Sequence, residues 1–238
     1  MKSRTRLKRH NPTIVIENKA TKLVTDDEIE GIIPALQRQV TRHFQPAWGI
    51  GAELVFKKGG ARIPKNVYRI VVKDRATKED AGFLGYHIQK SGYPLALIFA
   101  EEDLSDDKTI SVTLSHEILE MLVDPLLNLY AYRPGKGRHR RERGYFYEVC
   151  DAVQCEHYKI DNVVVCNFVY PEWFEYAWPR GSRKFDHRGL LREPFEILKG
   201  CYADIYEAGR GARTIWGDRT PLKKRRHRQD ARLTMSMF

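Results

Sequence analysis

The 238-residue chain is 42% hydrophobic and 11% aromatic, which is enough for one large core and excludes a disordered polymer. Its net charge of +10 is uneven: residues 1–10, 133–143 and 223–232 carry +5 each, leaving −5 for the body. No apolar run approaches the roughly 18 residues of a membrane span, and none of about 7–15 residues follows the basic start as in a secretory signal. The expectation is a protein of a reducing cytoplasm with no membrane partner.

PTIVIENK, 12–19, is β-branched and reads as a strand. VTDDEIEGIIPALQRQVTRHF, 24–44, reads as a helix, with Ile29, Ile32, Ile33, Leu36, Val40 and Phe44 at helical spacing. Thr25 and Glu28 form a capping box, and Pro34 is the expected kink. GAELVFKK, 51–58, and VYRIVVKD, 67–74, are two strands. KEDAGFLGYHIQKSGYP, 78–94, reads as a glycine-punctuated loop, and LALIFAEED, 95–103, as a further strand. DDKTISVTLSHEILEMLVDP, 106–125, is the second helix, capped by Asp106 or Asp107 and stopped by Pro125. Beyond it the pattern loosens. YFYEVCDAV, 145–153, contains a candidate strand over 145–149. YKIDNVVVCNFVYPEWF, 158–174, reads as a hairpin turning at Asp161-Asn162. This order predicts an α+β fold: a mixed sheet with an N-terminal helix and a buried second helix, then an irregular β-rich part. One domain over 11–208 is expected (11–125 and 126–208 as its two parts), flanked by basic tails at 1–10 and 209–238.

Chemistry concentrates in SHEILEMLVDP. On a helix His116 and Glu120 lie about 40° apart and one turn along, so both reach one ion. Glu117 lies about 100° round, the place for a base that takes a proton from water beside the metal. The pattern is HExxE where HExxH is usual. Zinc accepts a carboxylate in place of the second imidazole, while manganese and iron are admitted more readily. The neighbours Val112, Leu114, Ile118, Leu119, Met121, Leu122 and Val123 cover most of the helix, which marks it as buried, and buried charges need partners. The bland alternative is a helix with its three polar residues facing water. Glu148 and Asp151 are the candidate further ligands, with His87 and Asp124 as supporting groups or substrate contacts. A calcium site of Asp124, Glu148 and Asp151 is the third-ranked alternative.

The cysteines Cys150, Cys155, Cys166 and Cys201 lack zinc-ribbon spacing and are expected as buried thiols. The basic runs, with Arg138, Arg140 and Arg141 in the loop and Lys223, Lys224, Arg225 and Arg226 in the tail, suit salt-sensitive contact with nucleic acid or an acidic protein, or equally plain solvation. None interleaves aromatics as a single-strand stacking platform does.

The HE-starting helix straight after an apolar strand resembles the zincin metallopeptidase half-domain over about 12–125. The resemblance implies that His116 and Glu120 are ligands and Glu117 the base, and that LALIF is the edge strand pairing with peptide. This chain lacks the second histidine and the HExxHxxGxxH extension. The phrases ALQRQVTRHFQPAWGI, AGFLGYH, SHEILEMLVDP, YEVCDAV and NFVYPEWF also resemble a group of uncharacterised phage and bacterial proteins over roughly 13–205, which implies host cytoplasm or virion as the setting. Two functions follow as expectations: a zinc-dependent peptidase-like hydrolase, or a catalytically degenerate zincin scaffold, virion-associated or contacting nucleic acid.

Overall fold

The computed structural model describes residues 11–20, 22–105, 109–135 and 141–217. β1 (Thr13–Asn18), β2 (Glu53–Lys58), β3 (Tyr68–Lys73), β4 (Gly85–Lys90) and β5 (Tyr93–Phe99) form a mixed sheet in the order β2-β1-β3-β5-β4. The first four strands in that order run parallel, and β4 is antiparallel to β5. Interior strands β1 and β3 are the β-branched ones, as a sheet covered on both faces requires, and Ile14, Ile16, Ile70 and Val72 are fully buried.

The first helix, α1 (Asp26–Arg38), starts with the expected capping box: Thr25 Oγ1 accepts from the Glu28 amide at 3.2 Å, and Glu28 accepts from the Thr25 amide at 2.7 Å. These Thr25 hydrogen bonds hold the Glu28 carboxyl below its ordinary range. The helix passes Pro34 unbroken. The irregularity comes later, as a π-helical segment Gln39–Phe44 that runs into α2 (Gln45–Trp48). There Gln39 is buried and donates to the Cys166 carbonyl at 2.9 Å.

Residues 78–94, expected as a loop, contain β4. Residues 95–103, expected as a strand, divide into β5 and the short α3 (Ala100–Ser105). LALIF is therefore not the edge: β4 lies outside it, with His87 opposite Ala96. Buried helix α4 (Ile110–Val123) follows with Thr109 at its N-cap position; the expected caps Asp106 and Asp107 lie outside the described residues.

The C-terminal part is more regular than its sequence suggests. β6 (Tyr130–Arg133), β7 (Arg143–Phe146), β10 (Tyr202–Glu207) and β11 (Gly211–Trp216) make an antiparallel sheet in the order β11-β10-β7-β6. β11 occupies residues assigned from sequence to the basic tail. β8 (His157–Ile160) and β9 (Val163–Cys166) form the expected hairpin, and Asp161 and Asn162 both have positive φ, as a two-residue turn needs. One cluster of buried side chains extends from Ile14 to Ile205 through both sheets and α4. Cys150 and Cys166 are buried thiols, whereas Cys155 and Cys201 are joined in a disulfide, contrary to the sequence expectation. The spacing rules used on the sequence have no purchase on a pairing 46 residues apart.

Candidate metal centre

α4 is held from three sides. Eleven of its fourteen residues are buried. Ser111 Oγ donates to the Val164 carbonyl at 2.7 Å, and Ser115 Oγ accepts from the Cys166 amide at 2.8 Å, which clasps the helix onto β9. This clasp settles the alternative of a helix with a wet side: Glu117 and Glu120 are 1% and 0% exposed, and only the His116 side chain, at 12%, reaches the surface.

His116 Nε2 lies 3.1 Å from Glu120 Oε1 and 3.3 Å from Asp151 Oδ1. Bonds of about 2.1 Å to one tetrahedral ion would put donors about 3.4 Å apart, so these spacings fit a shared cation. Burial by itself would lower the His116 pKa, but Glu120 and Asp151 outweigh it and hold the imidazole well above its usual range. The two carboxylates favour the protonated imidazole, so a metal binding here would compete with a proton.

Asp151 opens a 3-10 turn, Asp151–Val153, just past the end of β7. The sequence expected Glu148 on a strand, but β7 ends at Phe146 and the chain turns, with the Glu148 amide donating to the Phe146 carbonyl at 2.8 Å. Tyr147 stacks on Phe174 with centroids 4.2 Å apart, and the Val149 carbonyl accepts from the Val169 amide at 2.7 Å. These contacts frame the segment, and the Cys150 amide, donating to Glu120 Oε1 at 3.3 Å, joins it to α4. Two sets of donor atoms gather within 4.8 Å of one another: His116, Glu120 and Cys150; and His87, Glu120 and Glu148. Glu120 belongs to both. Asp151 belongs to neither set but lies beside His116.

His87 is 2% exposed on β4, with Nδ1 3.3 Å from Glu117 Oε2 and Nε2 3.4 Å from the Asp124 carbonyl. A carbonyl only accepts, so an Nε2–H that donates to Asp124 leaves Nδ1 facing the Glu117 carboxyl. The Asp124 carboxylate turns away, accepting from the Asn128 and Leu129 amides at 3.0 and 3.1 Å. It is spent on the turn after α4, which removes one member of the calcium set.

The residue that sequence reasoning missed is Cys150. Its one available signal is position, between Glu148 and Asp151. Its sulfur lies 3.5 Å from Cys166, and burial pushes its thiol pKa well up. For Cys166 burial acts upward too, but the bond with Cys150, the His116 charge and Ser115 together bring it down.

Of the basic residues singled out, Arg138, Arg140, Lys223, Lys224, Arg225 and Arg226 lie outside the described residues. Arg141 is exposed, donates to the Ala208 carbonyl at 3.2 Å and is remote in sequence from α4. No helix among the described residues is long and apolar enough to cross a membrane. Compared with protein families, curated proteins and solved structures, the chain matches none.

Proposed function

We propose that this cluster holds a divalent metal ion, zinc before manganese or iron, and that the chain is a metal-dependent hydrolase of zincin type acting on peptide or protein. The observation that carries the reading is the approach of Glu120 and Asp151 to one imidazole nitrogen, on a helix whose next side chain is a buried glutamate. His116 and Glu120 would hold the ion with an acid from 148–151, and the ion would supply Lewis acidity and a water acidified towards a pKa of about 7. Glu117 takes the proton and returns it to the leaving group. His87 orients the Glu117 carboxylate. β4 closes the strand order beside α4, so its outer edge offers main-chain groups to an extended peptide.

Near-complete enclosure favours a second reading, a structural metal in a degenerate scaffold, because structural sites are closed and catalytic ones keep an open position. Metal content and hydrolysis of an unfolded protein substrate separate the two. The hydrolase reading expects zinc bound by the purified chain and lost with Glu120→Ala. Glu117→Gln would keep the metal and lower turnover on the order of 10²–10⁴-fold. Retained metal with no turnover in the wild-type chain leaves the degenerate scaffold, and no uptake of zinc at all overturns both.

A further inference from the structure

We infer that the outer face of the β6–β7–β10 sheet is a binding surface for single-stranded nucleic acid, with Tyr130, Tyr132 and Tyr206 stacking bases and an adjoining arginine-lined cavity taking phosphates. The three tyrosines are 63%, 50% and 56% exposed, among the most exposed large side chains described. Strand alternation puts them on one face, Tyr132 and Tyr206 both opposite Gly144 in the registers of their strands. Gly144 matters here: a Cβ at that position would come within 2.8 Å of the Tyr130 ring, so its absence lets the ring lie flat on the sheet. With Phe146 these rings floor an open cavity of about 450 Å³ whose exposed lining is mainly apolar.

Arg143 borders both this cavity and a second one of about 690 Å³, reached round the end of the sheet, because alternation turns Arg143 and its register partner Arg133 to the face opposite the tyrosines. The second is lined by Arg133, Arg141, Arg143 and Arg180 against one acid, Glu193, with Tyr176, Trp178 and Phe195 between them. Arginines stay charged at every accessible pH and fork onto phosphate oxygens. Buried Glu207 already pairs with Arg143 at 2.8 Å, and with Arg210 and Arg213 at 3.4 Å, which fixes that corner of the sheet. Rings that accept any base, beside a cationic trough that follows the backbone, are the two parts of a sequence-tolerant single-strand site. A protein partner would be met by the same rings, but an excess of positive charge favours a polyanion: Arg133, Arg141, Arg143 and Arg180, with Arg210 and Arg213 beside them, outnumber Glu142, Glu193 and Glu207. The excess remains even though Arg141 and Arg143 pair with Glu207 and Arg180 with Glu193. Glu142, hydrogen-bonded to Tyr132, is the acid at the rim. The surface is independent of the metal reading.

The test uses the full chain, with fluorescent oligonucleotides of about 12 nucleotides as single-stranded RNA, single-stranded DNA, duplex DNA and an abasic strand. At about 0.2 M salt, where purely electrostatic contact has weakened strongly, single strands should bind at least tenfold tighter than duplex or abasic strand. Tyr132→Ala with Tyr206→Ala should lose about tenfold or more of that affinity, Tyr206→Phe should keep it, and Arg141→Ala with Arg180→Ala should flatten the salt dependence. The RNA and DNA arms identify which strand is preferred. Equal affinity for duplex and single strand, or wild-type affinity in the ring variant, overturns the assignment. So does a self-association that the ring variant abolishes while oligonucleotides bind unchanged.

Discussion

The two parts of the molecule hold their acidic side chains in opposite ways. In the first, up to Val123, Glu117 and Glu120 stand on one regular helix, and their directions follow from 3.6 residues per turn. In the second, Glu148 and Asp151 stand on an irregular stretch whose shape is imposed by contacts with residues 169 and 174. Local periodicity aims a side chain cheaply; an irregular segment needs a packed frame, and here the frame includes a disulfide. The lesson is that the sites converge because one core spans both parts, so damage to the second should reach the first.

The largest expected effect is from Trp173→Ala, a fully buried ring in the second part. It should cost about 3–5 kcal/mol, and urea unfolding followed by α4 helicity and by tryptophan fluorescence should shift together. Separate transitions would break the comparison, because each part would then have its own core. Reducing Cys155–Cys201, which closes a loop of 46 residues, should lower stability by about 2–4 kcal/mol, measured by melting with and without reductant. Asp151→Asn should lower zinc affinity at least tenfold, the scale of losses at groups around metal ligands, as read by competition with a chelating dye. A wild-type affinity there would assign the third donor to Glu148 or Cys150. The smallest effect is local: Thr25→Ala should cost about 1 kcal/mol and leave metal affinity unchanged.

Acidity sharpens the same contrast. In the metal-free chain the His116 pKa is raised by Glu120 and Asp151. Its contribution to stability is therefore fully present below the ordinary histidine range near 6.5 and is lost as pH rises through the elevated value. Melting temperatures of metal-free protein should fall over that alkaline interval, and His116→Ala should flatten the fall. Zinc, competing with the same proton, should bind more tightly as pH rises.

Much of the first part was legible because its signals are local: the Thr25–Glu28 box, the burial of α4 and the Asp161-Asn162 turn each occupy a few adjacent residues. β4 was hidden by its glycines and polar outer residues. The signal was there, since Ser91-Gly92, both at positive φ, is a two-residue hairpin turn between alternating segments. The antiparallel sheet was out of reach, because β7 pairs with β10 about sixty residues later and no short window contains both. The same distance hid the aromatic face: Tyr206 lies more than seventy residues after Tyr130 and Tyr132, and the basic runs by themselves carry no Phe, Tyr or Trp.

The hydroxyl clasp on α4 has a consequence for biosynthesis. Its partners, Val164 and Cys166, are made some fifty residues after the serines that hold them. A ribosome therefore releases the helix well before the hairpin that covers it, and during that interval its greasy flank stands open. Contacts this distant in sequence close slowly, so the centre is among the last parts of the nascent protein to assemble, and early termination before Cys166 yields a chain exposing its stickiest element.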